Sequence, residues 1–61
     1  MDTFDRYKQN LKYDDDYIYS YGTKVASRHV DHIKILGKWS RTTDKHIIYA
    51  SRELGVSRHP F

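Results

Sequence analysis

The chain has 61 residues, eleven Lys and Arg against eight Asp and Glu, and no cysteine. A chain this short holds one small domain that buries roughly 60% of the surface its unfolded form exposes. The lack of cysteine excludes disulfides and thiolate metal sites and suits a reducing compartment. No apolar run approaches the ~20 residues of a membrane-spanning helix, and the first residues are acidic rather than basic then apolar, so a soluble cytoplasmic protein with no membrane contact is expected.

Charge is unevenly distributed. Residues 1–16 carry five acids and three bases, whereas residues 17–61 carry three acids and eight bases. The chain therefore divides into an acidic arm (1–16), a basic folded part (17–55) and a tail (56–61). Basic domains favour polyanions, because neutralising phosphates releases counterions.

In the arm, Phe4, Tyr7 and Leu11 recur at i, i+3 and i+7, the apolar stripe of a short helix. Asp2 or Thr3 would cap it. Asp14-Asp15-Asp16 reads as a turn. Tyr17 to Tyr21 alternates with period two and is rich in strand formers. Gly22 supplies a turn, and Thr23 to Val30 reads as a second strand. Asp31-His32 makes a tight connection. Ile33 to Trp39 alternates apolar and basic residues as a third strand, with Gly37 marking a bulge or close approach.

Ser40 to Asp44 is rich in helix-capping residues. Ile47, Ile48, Ala50, Ser51 and Leu54 share one face of a helix expected over 43–54, with Thr42 or Thr43 as its cap and Gly55 as its stop. Pro60 argues against regular structure in the tail. The expected fold is α+β: a short N-terminal helix, then three antiparallel strands covered by a C-terminal helix. Ile47, Ala50 and Leu54 would pack on Val25, Ile33, Ile35 and Trp39.

Strand alternation then assigns the open face. With Val25, Ile33, Ile35 and Trp39 turned inward, Lys24, Arg28, Lys34 and Lys38 turn outward and share a basic platform. Its width suits a DNA major groove. Arg41 and Lys45, near the helix start, would reach flanking phosphates. Tyr17, Tyr19 and Tyr21 form a row that would either fill the core or contact a protein partner.

Four histidines raise the question of metal. His29 and His32 straddle a turn, and nothing in the sequence brings His46 or His59 beside them, so neither a metal site nor a cofactor is expected. Ser40, Thr43 and His46 read as a structural lock at the helix start. No spacing singles out a nucleophile, and no glycine-rich phosphate loop is present, so an enzyme is not expected.

Two stretches carry a resemblance. Ser20-Tyr21-Gly22-Thr23-Lys24-Val25-Ala26 and Ser40-Arg41-Thr42-Thr43-Asp44-Lys45-His46 are similar to a SYGTxVA hairpin and an S-x-T-T-x-x-H helix start found in small phage-encoded proteins of uncharacterised function. The resemblance spans roughly residues 18–55. It implies a phage or prophage origin and no particular activity. The strand-strand-strand-helix order also resembles the arm-site DNA-binding domain of tyrosine recombinases and plant AP2 domains, which insert a sheet face into the major groove; fold likeness alone does not fix function. Two readings follow. In the first, the chain binds DNA through Lys24, Arg28, Lys34 and Lys38, assisted by Arg41 and Lys45. In the second, it docks on a host protein through Tyr17, Tyr19, Tyr21 and the acidic arm. Either is compatible with a monomer or a weak homo-oligomer.

Overall fold

A computed structural model describes all residues, 1–61. In chain order the elements are β1 (Asp2–Thr3), β2 (Leu11–Tyr13), β3 (Tyr17–Ser20), β4 (Thr23–Arg28), β5 (His32–Ile35), α1 (Arg41–Leu54) and β6 (Ser57–His59). The fold is α+β, but the sheet has six strands rather than three, in sequential order β1 to β6. The first four pairings are antiparallel, and β6 lies parallel to β5. The parallel pairing requires a crossover, which α1 provides on its way across one face of the sheet.

The N-terminal arm is not helical. Phe4 and Leu11 do share one destination, but it is the core, reached by two short strands joined by a turn. The amides of Asn10 and Leu11 both donate to the Tyr7 carbonyl, and Tyr7 sits at φ 58°, so a single turn closes there and no helix propagates. An isolated short helix is marginal in water. Pairing β2 with β3 satisfies the same backbone groups and seats Leu11 opposite Ser20.

The tail is likewise a strand. Ser57–His59 pairs with His32–Lys34, and Pro60 falls just beyond, where its missing N–H costs nothing. The helix begins two residues earlier than the sequence suggests. Ser40 is its N-cap and accepts from the Thr43 amide at 3.3 Å, so the capping role belongs to Ser40 rather than Thr42 or Thr43. Its C-terminus is as expected. Gly55 adopts φ 68°, its amide donates to the Arg52 carbonyl, and the Val56 amide reaches back to the Ser51 carbonyl, the two bonds of a Schellman end.

The third strand stops at Ile35, well short of Trp39. Gly37 lies in the connection to α1, where a Cβ would stand 3.1 Å from the Trp39 ring, so close approach rather than a bulge accounts for it. The bulge is instead in β4. Ile18 pairs with Ala26 and Tyr19 with Lys24, which leaves Val25 as the extra residue. Val25 and Ala26 are consequently both buried.

The core contains Phe4, Leu11, Ile18, Val25, Ala26, Ile33, Ile47 and Ala50, with Ile35, Trp39 and Leu54 packed partly buried around it. Expected members Val25, Ile33, Ile47 and Ala50 are present. Phe4, Leu11, Ile18 and Ala26 complete it. Because Leu11 is fully buried and belongs to the arm, Leu11→Ala should destabilise the whole domain by about 2–5 kcal/mol in chemical denaturation. Unchanged stability would show that the arm adds nothing to the fold.

Candidate functional site

The face of the sheet opposite α1 is covered by no other element. Strand pairing places its residues in two adjacent rows. Thr3, Lys12, Tyr19 and Lys24 form one row across β1 to β4. Tyr17, Ser27, Lys34 and His59 form the other across β3 to β6. Lys12, Lys24 and Lys34 are exposed, while Tyr17 and Tyr19 are half-buried. Neither row contains a carboxylate. The Lys24 ammonium lies 4.3 Å from the centre of the Tyr17 ring, and the Tyr17 and Tyr19 rings meet edge to face at 6.4 Å.

One end of this face is acidic. The Tyr19 hydroxyl donates to Asp14 Oδ2 at 2.7 Å, and Asp14 Oδ1 accepts from the Asp16 and Tyr17 amides. The Tyr19 bond and then those amides hold the Asp14 carboxyl below its ordinary 3.8, and the carboxylate in turn raises the Tyr19 phenol. The Asp14-Asp15-Asp16 turn thus fixes Tyr19, and the charge of Lys24 adds to the stabilisation of the Asp14 carboxylate.

The expected four-cation platform does not form. Lys24 and Lys34 do share the open face. Arg28 does not, because the extra residue at Val25 reverses the alternation of everything after it. Arg28 pairs with Ile33 on the helix side, donates to the Asp14 carbonyl at 2.6 Å and lies over the Tyr13 ring. Lys38 falls in the connection after β5, beside Trp39 and Phe61. Arg41 and Lys45 are exposed on α1, in the other layer. Of the tyrosine row, Tyr17 and Tyr19 face outward, and Tyr21 sits exposed at the β3–β4 turn with φ 53°. Sequence reasoning missed Lys12, assigned to a helix, and His59, assigned to a tail.

The histidines also differ from expectation. The parallel β6 carries His59 onto His32, with ring centres 3.9 Å apart, and His29 stacks on the other side of His32 at 4.5 Å; both pairs are within 12° of parallel. His32 is tied to Asp31 Oδ1 at 2.7 Å and His29 to Ser27 Oγ at 3.0 Å. The His32 bond is the leading cause that holds the Asp31 carboxyl below 3.8. These rings stack face to face, and no group of three His, Asp or Glu side chains is placed to hold a metal.

On the helix side, the Ser/Thr/His motif closes as a lock and recruits Ser20 from β3. Ser20 Oγ lies 2.9 Å from His46 Nδ1 and 3.4 Å from Thr43 Oγ1, and Ser40 Oγ donates to Thr43 Oγ1 at 3.4 Å. Ser20 and His46 are each 2% exposed, and the rings of Tyr7 and Tyr21 pack against the His46 imidazole. Tyr7 and Tyr21 are also the two non-glycine residues with left-handed backbone, a strained conformation stabilised by their surroundings. Further along α1, an open groove of about 390 Å³ lies between Ile35, Ile47, Ile48 and Pro60, flanked by Asp44 and Arg58.

Burial holds the His46 imidazole below its ordinary 6.5. The folded protein therefore binds this proton less readily than the unfolded chain. Stability should be fully present above about pH 6.5 and should fall as pH drops from there through the folded-state value, where protonated His46 would have to be buried. Urea denaturation across this window checks it: the parent should weaken on acidification, and His46→Gln should be flatter. Equal slopes for both proteins would contradict the assignment.

No helix is long and apolar enough to cross a membrane. Neither a curated protein nor a solved structure matches the chain. A family of unknown function, DUF8033, matches residues 2–58, which takes in β1 to β5, the helix and all but the last residue of β6. The chain belongs to that family.

Proposed function

We propose that the chain is a binding module for nucleic acid that uses the open face of its sheet, without catalysis. Lys12, Lys24 and Lys34 meet phosphates, and Tyr17 and Tyr19 form an aromatic floor between them. One observation carries this reading. Three lysines and two tyrosines occupy adjacent rows with no carboxylate of their own, Asp14 lying at one end, on a face that no other element covers. Interleaved cations and aromatic rings suit a polyanion whose bases also offer flat faces. A phage-encoded origin belongs to the same proposal and rests on the sequence motifs alone. Docking on a host protein is the rival reading, favoured by Tyr21, which is 60% exposed at the hairpin tip.

The narrower site changes the residues that matter. Arg28, Lys38, Arg41 and Lys45 contribute overall positive charge but do not line the face. With about three phosphates neutralised, the logarithm of affinity should fall against the logarithm of salt with a slope of about −2 for single strands and about −3 for duplex. The joint substitution Lys24→Glu and Lys34→Glu should abolish binding in fluorescence anisotropy while the protein stays folded. Lys38→Glu with Lys45→Glu should leave it nearly intact. Binding that is absent, insensitive to salt, or lost equally in both double variants would remove this reading.

A further inference from the structure

We propose that the exposed ring of His59 is a stacking platform for an unpaired nucleobase, so that the chain prefers single-stranded over duplex nucleic acid. The inference rests on the open-face reading above and makes its ligand specific.

Three imidazoles form a column. His29, His32 and His59 come from the β4–β5 turn, the start of β5 and the end of β6, yet their rings lie within 12° of parallel at successive spacings of 4.5 and 3.9 Å. Two of them are held. Asp31 fixes His32 through Nδ1, and Ser27 fixes His29 through Nε2. The column is therefore anchored at one end and in its middle. His59 terminates it as an exposed residue, with one face on His32 and the other turned away from the stack. A flat aromatic surface that already continues a stack is the surface an unpaired base extends, and such stacking tolerates any base because each has a π-face.

Position relative to charge supports the same ligand. Lys34 is the cross-strand neighbour of His59, and Ser27, which holds His29, is the neighbour of Lys34 on the other side. A base on His59 would therefore have its phosphate within reach of Lys34, and the strand could continue along the row toward Tyr17 and Lys24. Bases inside a duplex are already sandwiched between their neighbours and cannot offer a face to the imidazole without leaving the stack. Single strands can splay their bases onto aromatic side chains.

The test compares a single-stranded oligonucleotide of about 12 residues with its duplex at near-neutral pH, using anisotropy for affinity and proton NMR for the His59 ring. The single strand should bind more tightly, and the His59 ring protons should move upfield on its addition. His59→Ala should weaken single-strand binding by roughly five- to 150-fold, and His59→Phe, which keeps a flat ring, should restore it. Duplex affinity should be the same in all three proteins. Equal or tighter duplex binding, or single-strand affinity unaffected by His59→Ala, would overturn the stacking platform while leaving the open-face reading in place. Failure of both nucleic acids to bind the parent would remove both. His59→Phe also guards against a fold defect in the alanine variant, since both lack the imidazole but only one lacks the ring.

Discussion

The bulge at Val25 is the constraint on which most of this structure depends. A regular β4 would send alternate residues to opposite faces, and a domain with one helix and so few large aliphatic residues would be short of core. The extra residue lets Val25 and Ala26 both face α1, between Ile18 and Ile35. It also frees the Val25 carbonyl, which accepts from the Leu36 amide at 3.0 Å and from the Trp39 indole at 3.2 Å. Those two bonds set the path from β5 to the Ser40 cap, and hence where α1 starts. The bulge therefore fills the core, positions the helix and decides which basic residues reach the open face.

Much of the middle of the chain was legible from its sequence. Period-two alternation located β3, β4 and β5, and the Ser/Thr cluster and Gly55 bracketed α1 to within two residues. What failed did so for identifiable reasons. Phe4 and Leu11 fit a helical stripe, but seven residues is also the distance between two strands joined by a turn, and the positive φ at Tyr7 that selects the turn leaves no mark on hydrophobic spacing. Residues 57–59 are all exposed, so β6 has no apolar pattern to detect. Ser20, read as a strand residue and as part of a motif, gave no hint that it would pair with His46 twenty-six positions away.

The candidate site was legible only in part, and the bulge explains why. Lys24 lies before it and Lys34 on an unbulged strand, so both fall where alternation puts them. Arg28 lies after it, and one inserted residue turns Arg28 from the open face to the Asp14 carbonyl. Lys12 and His59 depended on recognising β2 and β6. The two layers now separate cleanly. The helix side holds the buried Ser20–Thr43–His46 lock and the aliphatic core, whereas the opposite side carries lysines, tyrosines and the imidazole column, which contribute little to burial.

That division makes the open face the place where a ligand would leave its trace. Backbone amide chemical-shift mapping during titration with a single-stranded oligonucleotide measures this residue by residue. The account predicts that the perturbed amides cluster at Lys12, Tyr17, Tyr19, Lys24, Lys34 and His59, with α1 silent along its length. Perturbations centred on the helix or on Lys38, or none at saturating ligand, would contradict it.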